Sequence, residues 1–286
     1  MAISIGSNIT SLQAQRRLDI TGGKLSQSFN KLSSGYRINR GADDAAGLAI
    51  AESLKAQSRI AGQALRNTND GISTIAIADG ALGEVANILS RLAELASQSA
   101  NGTLSTTQRS VVSNEFVALS SEIERIAAVT EFNGIKLLSG SNNITIQVGT
   151  GSNSSSQIGY TNQLATLAGI GLGNLSGSLS YSINGSSDDA AATAARFALD
   201  AVYAAIYSVG AARGALGGIE SRLSTAIANL SVARENLVAA ESRIRDVDVA
   251  EEAANLTRLN ILQQAGTAVL AQANQLPSLA LQLLRG

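Results

Sequence analysis

The sequence contains no cysteine, no histidine and no tryptophan, and its single proline, Pro277, stands near the end. Without histidine the chain lacks the usual general acid–base group near neutral pH, and without cysteine it lacks thiol nucleophiles and soft metal ligands. Aromatic residues make up only 3% of the chain, although 45% of it is hydrophobic. Its core must therefore be built from Ala, Leu, Ile and Val, the residues of long helices packed side by side. Nothing reads as a catalytic, cofactor or metal site, and the chain is expected not to be an enzyme. The opening segment has no basic stretch followed by an apolar run, so no cleaved signal is expected. No continuous run of about 18 apolar residues is present, so no membrane insertion is expected.

The formal net charge is only −1, but it is unevenly placed. Residues 1–42 carry Arg16, Arg17, Lys24, Lys31, Arg37 and Arg40 against one acid, Asp19. Such an arm suits nucleic acid, an anionic membrane or a solvated helix face. The reading preferred is complementarity with the acidic cluster Asp246, Asp248, Glu251 and Glu252 in the opposite arm, with no nucleic-acid partner.

Along the chain, helical patterns flank a Gly/Ser-rich centre. Ile5, Ile9, Leu12, Leu18, Leu25, Phe29 and Leu32 follow helical spacing, interrupted by Gly22-Gly23. Residues 33–41 read as a joint. From Leu65 a heptad seam runs through Ile72, Ile75, Asp79, Leu82, Leu89 and Ala96, with Val85 and Leu92 as a second stripe. Asn101-Gly102 ends that helix, and Ser105 with Gln108 has capping-box spacing for the next. Val112, Phe116, Leu119, Ile123 and Ile126 form its apolar face, giving an antiparallel helical hairpin. Residues 137–187 hold no charged side chain. They are expected to form small β-hairpins on an exposed, variable surface, with a strand near Ile144–Val148.

A second long helix is expected from Asp188-Asp189, with Val202, Val209, Leu216, Leu223 and Leu230 on a heptad seam. Arg213, Glu220, Arg234 and Glu241 interrupt that seam, which implies register control or a second partner. Gly210, Gly214, Gly217 and Gly218 weaken an isolated helix, so packing must hold it. The last arm places Leu259, Leu262, Gly266, Val269, Ala273, Leu276, Ala280 and Leu283 on one expected assembly seam. Its five large side chains offer ~7–15 kcal/mol gross if buried. Ordering the backbone costs on the order of ~1–2 kcal/mol per residue. Alone, the arm is expected to be disordered and to fold against neighbours.

Two short motifs have bland readings. Gly169-Ile170-Gly171-Leu172-Gly173 lacks the second half of a nucleotide-binding loop and reads as a turn. Asp43-Asp44 has no companion ligands and reads as helix capping or a salt bridge.

Three longer stretches carry a resemblance. Residues 32–50, from Leu32-Ser33-Ser34-Gly35-Tyr36-Arg37-Ile38-Asn39-Arg40-Gly41-Ala42-Asp43-Asp44 to Ile50, resemble the N-terminal signature of bacterial flagellins. Residues 260–277, Asn260-Ile261-Leu262-Gln263-Gln264-Ala265-Gly266 through Pro277, are similar to the C-terminal signature. Glu131-Phe132-Asn133-Gly134-Ile135-Lys136-Leu137-Leu138 is a third match. The resemblance covers roughly 1–150 and 195–286.

It implies a short flagellin with little or no outer domain, exported through the flagellar type III channel to an extracellular filament that serves swimming. Residues 1–42 and 246–286 would be the terminal arms of an inner tube. Residues 43–140 and 188–245 would form a helical-bundle body, and 141–187 a small β/loop region. The fold class expected is mainly α, a long antiparallel bundle with paired terminal helices. Partners implied are further copies of the chain, an export chaperone on the C-terminal segment, filament cap and hook-junction proteins, and a Toll-like innate receptor. Receptor recognition in the family carries over to Arg91, Leu95 and Glu115. The alternatives are a hook–filament junction protein and a secreted type III translocator.

Overall fold

The computed structural model describes residues 7–140, 143–174, 177–185 and 187–285, with side chains described up to residue 275. Five helices dominate: α1 (Ile9–Ser34), α2 (Ala45–Ser99), α3 (Thr106–Val129), α4 (Asp188–Arg245) and α5 (Val249–Arg285). Four short strands lie between α3 and α4: β1 (Glu131–Phe132), β2 (Ile135–Lys136), β3 (Asn143–Gln147) and β4 (Gln157–Thr161). The chain divides into two compact units, one drawn from Met1–Ser58 and Glu235–Gly286, the other from Arg59–Arg234.

In the central unit, α2, α3 and α4 share one core. Ile75, Leu82, Val85, Leu89, Leu92 and Leu95 of α2 meet Phe116 and Ile123 of α3 and Val202, Val209, Leu216 and Leu223 of α4. The four α4 residues recur every seventh position, so one seam holds the helix through Gly210, Gly214, Gly217 and Gly218. By length and composition α2 has an 18-residue window apolar enough to cross a membrane, with mean hydropathy 1.3. The α2 residues named above are occupied in this core. The α2–α3 turn is made as its sequence requires: the Ser105 side chain and Gln108 form a reciprocal capping box at the start of α3.

The strands form two antiparallel hairpins, β1 with β2 and β3 with β4. The β1–β2 hairpin was not foreseen, although Asn133-Gly134 is its signal. Both residues have positive φ, 50° and 78°, as a two-residue turn matched to strand twist demands. In the second hairpin Ile146 faces Ile158 and Ile144 faces Tyr160. A side-chain carbon at Gly71 of α2 would collide with Ile146, so that glycine admits the hairpin to the core.

The uncharged stretch departs from expectation. It is an exposed surface only in part: Val148, Ala165, Leu167, Ile170, Leu172 and Ile183 are all buried in the core shared with the helices. Glu124 accepts a hydrogen bond from the Leu167 amide at 2.9 Å, and Ser99 donates to the Ile183 carbonyl at 2.7 Å. The segment is mixed: its buried apolar side chains are anchored by such contacts to its backbone, whereas the β3–β4 tip, rich in Ser and Asn, and positions such as Leu164, Gly169, Gly171 and Ser182 are exposed.

Candidate assembly surface of the terminal arms

Helix α1 begins at Asn8, whose side chain accepts from the Ser11 amide at 3.0 Å, and stops at the left-handed Gly35. It passes through Gly22-Gly23 without a break. Helix α5 begins after Asp248, whose carboxylate accepts from the Ala250 and Glu251 amides at 2.9 and 3.1 Å. Glu251 and Glu252 occupy its first turn, where acids suit the helix dipole.

These caps correct the expected charge complementarity. Among the described residues, no ion pair joins Arg16, Arg17, Lys24, Lys31, Arg37 or Arg40 to Asp246, Asp248, Glu251 or Glu252. Asp248 has instead turned to its own backbone, a shorter reach than a partner across the joint.

The joint is backbone-built. Tyr36 and Asp246 form an antiparallel bridge, the Arg37 amide donates to the Arg245 carbonyl at 2.6 Å, and the Val247 amide to the Gly35 carbonyl at 3.1 Å. The Arg37 guanidinium donates to the Ile244 carbonyl at 2.7 Å. Arg245 lies over the Tyr36 ring, 4.5 Å from its centroid, and pairs with Glu52 at 2.7 Å. Asp43 accepts from the Arg40 and Asn39 amides at 2.9 and 3.0 Å. Those amides, with help from Gln27 and Lys31, hold its carboxyl below the usual aspartate value. Asp44 accepts from the Gly47 amide at 2.9 Å and caps α2. The acidic pair is thus bound into capping and turn geometry.

Beyond the joint, α1 and α5 run antiparallel. Asn8 donates to the Ala273 carbonyl at 2.8 Å, Ser11 donates to the Asn274 side chain at 2.7 Å, and Leu18 sits over Gly266. A Cβ on Gly266 would lie 3.1 Å from Leu18 Cδ1. The inner face of α1 follows Ser11, Ala14, Leu18, Thr21, Leu25, Ser28 and Leu32; that of α5 follows Leu256, Leu259, Gln263, Gly266, Leu270 and Ala273. Ser11, Ala14, Thr21, Ser28, Gly266 and Ala273 are small and alternate with leucines, so the two helices can approach closely where Leu18 meets Gly266.

Other large apolar side chains point away from this contact. Leu262 and Val269 are 51% and 59% exposed, and Ile9, Leu12, Ile20 and Ile261 between 54% and 61%. The expected single seam is therefore two faces. Leu259 belongs to the α1 contact, with Gly266 and Ala273, whereas Leu262 and Val269, each three residues further on, lie on a second stripe turned about 60° from it. Leu276 and Leu283 lie outside the residues whose side chains are described. Beside that stripe is an open groove of ≈ 420 Å³ lined by Ala14, Arg17, Leu18, Ile20, Leu262 and Val269, among others. Gln263 and Leu270 also belong to the α1 contact, but they fall outside the heptad spacing that runs through Leu262 and Val269.

In the central unit, Arg91 donates to Glu115 at 2.9 and 3.1 Å and to Glu94 at 2.8 Å. Glu94 and Glu115 raise the Arg91 guanidinium above its ordinary value. Leu95, expected to share a surface with Arg91, is instead 1% exposed and packs in the core. The two residues are one turn apart, but Leu95 lies at the edge where α2 meets α3.

Comparison with known proteins matches both ends of the chain. Residues 5–143 match the bacterial flagellin N-terminal helical region, and residues 199–284 the bacterial flagellin C-terminal helical region. The chain is 44% identical over 281 residues to the flagellin of Halalkalibacterium halodurans, covering 98% of this chain and 99% of that one. It is 42% identical over 304 residues to the flagellin of Bacillus subtilis, again covering 98% and 99%. The structure of a putative flagellar hook-associated protein from Vibrio parahaemolyticus superposes with a TM-score of 0.59 at 16% identity, over 71% of this chain and all of that one. That last likeness concerns the fold alone.

Proposed function

The chain belongs to the bacterial flagellin family, the structural subunits of the extracellular flagellar filament, and we propose that its paired arms fold as they bind further copies of the chain. The observation that carries this reading is the set of large apolar side chains left exposed on the arms, Leu262 and Val269 of α5 and Ile9, Leu12 and Ile20 of α1. Each such side chain gains roughly 1.5–3 kcal/mol when a neighbour covers it. A pair of arms that leaves so many large apolar side chains uncovered is weak alone, so the covering copies supply what the isolated pair lacks.

In this reading residues 1–42 and 246–286 form the inner tube. Residues 43–140 and 188–245 form the surrounding body, and 141–187 the small β/loop region. The filament serves swimming. The subunit leaves by type III export with no cleaved signal, and a chaperone shields Leu262 and Val269 until assembly. Cap and hook-junction proteins meet the same arms at the filament's ends. A Toll-like receptor would engage the exposed Arg91 and Glu115, with Leu95 fixing the helix beneath them. The near-complete match to flagellins at both ends favours the filament subunit over a junction protein.

Amide hydrogen exchange tests the folding step. Residues 9–34 and 249–275 are expected to exchange rapidly in the unassembled subunit and to become protected in filaments, while α2 to α4 are protected in both. Equal protection of the arms in both states would contradict it.

A further inference from the structure

Arg17 and Asp19 stand on either side of Leu18, the residue that seats on Gly266. At about 100° per residue they project to opposite flanks of the α1–α5 pair. The two flanks differ in character. On the Arg17 flank, positions seven apart are Arg17, Lys24 and Lys31, beside the apolar groove with Ile20, Leu262 and Val269. On the Asp19 flank, Leu12 lies one heptad before Asp19, and Leu12 is 61% exposed. The facing positions of α5 on that side, Ala253, Asn260, Thr267 and Asn274, are small or polar and uncharged.

Among the described residues, neither Asp19 nor any of Arg17, Lys24 and Lys31 has an ion-pair partner. Asp19 is also the single acid in residues 1–42. One flank is therefore an apolar groove edged by cations. The other is an apolar knob, Leu12, followed by Asp19, with Arg16 between them on the same flank.

Copies in a polar filament repeat head to tail, so a surface meets a different surface of its neighbour and never itself. Groove with cations against knob with anion is the pairing that this requires. We propose that the Leu12/Asp19 flank of one copy docks on the Arg17/Lys24/Lys31 flank of the next, with apolar contact in the groove and Asp19 among the cations. This rests on the filament reading above and names which faces of the arms meet. Because the cation row repeats every heptad, Asp19 finds a partner over a range of axial offsets. On one helix Asp19 and Arg17 do not face each other, so any coupling between them arises between copies.

The test is charge exchange in full-length purified subunits, scored by critical concentration for polymerisation and by electron microscopy. Asp19→Lys is expected to raise the critical concentration by about tenfold or more through like-charge contact. The triple variant Arg17→Glu, Lys24→Glu and Lys31→Glu is expected to do the same. All four substitutions in one chain are expected to restore polymerisation. Unchanged polymerisation of Asp19→Lys, or no recovery in the combined variant, overturns the face assignment. Because the arms remain present throughout, such a failure leaves the filament reading standing. Failure of the hydrogen-exchange test would instead remove the reading beneath it. Unchanged thermal unfolding of α2 to α4 in every variant shows that each is folded.

Discussion

Arg213 of α4 donates two hydrogen bonds to Asp79 of α2, at 2.8 and 3.1 Å, one to each carboxylate oxygen. Both residues interrupt apolar seams, so an axial slip of one helix would part the pair and bring a charge opposite leucine. The pair thus acts on register, as a polar group in a helical seam does.

The Arg213 hydrogen bonds hold the Asp79 carboxyl below its ordinary value of 3.8. A depressed folded pKa means stability that is present above the unfolded value and lost as pH falls through the folded one. The two side chains are 44% and 39% exposed, so solvent screens them and the contribution is at most about 1 kcal/mol. Asp79→Asn is expected to lower urea stability by that amount at pH 7. As pH falls through the depressed folded pKa, variant and parent should converge, which a series of urea denaturations from pH 7 into the acid range checks.

Leu18 over Gly266 is the closest fit in the arms. Gly266→Val is expected to push α1 from α5 and cost about 1–3 kcal/mol of arm pairing by overpacking. The readout is a raised critical concentration for polymerisation. Adding Leu18→Ala makes room for the valine and should recover part of the loss.

Separating the two faces of α5 gives a sharper contrast. Leu262→Asp and Val269→Asp place charge on an exposed stripe, so the subunit should keep its thermal unfolding profile while losing filaments. Thr267→Asp, on the polar flank of the same helix, should be milder. Sedimentation of polymerised subunits distinguishes the three.

The buried side chains of the uncharged central stretch are expected to behave as core. Leu172 is fully buried, and Leu172→Ala should cost about 2–5 kcal/mol in thermal or urea unfolding of the central unit. A surface loop would lose almost nothing.

Much of this organisation can be read from residue order. The seven-residue spacing from Val202 to Leu230 specifies α4, Ser105 and Gln108 specify the start of α3, and the two terminal signatures specify the family. What cannot be read is which neighbour a residue meets. Leu167, Leu172 and Ile183 sit among Ser, Gly and Asn, a composition equally suited to a solvated loop, and only the folded helices show that they are covered. On α5 two stripes lie three residues apart, and the larger side chains of Leu262 and Val269 mask the α1 contact through Gly266 and Ala273. At the arms' acidic cluster, Asp248 serves the backbone of α5, because a local amide is reached with less loss of freedom than a distant cation. Leu95 shows the same limit, since one turn of helix separates the exposed Arg91 from a buried neighbour.

The central claim is that the terminal arms carry polymerisation. Its most direct measurement is electron microscopy of the chain truncated after Asp246, alongside circular dichroism of the same sample. The account predicts no filaments at any subunit concentration, with helical signal retained from α2, α3 and α4. Filaments of ordinary form from the truncated chain would contradict it.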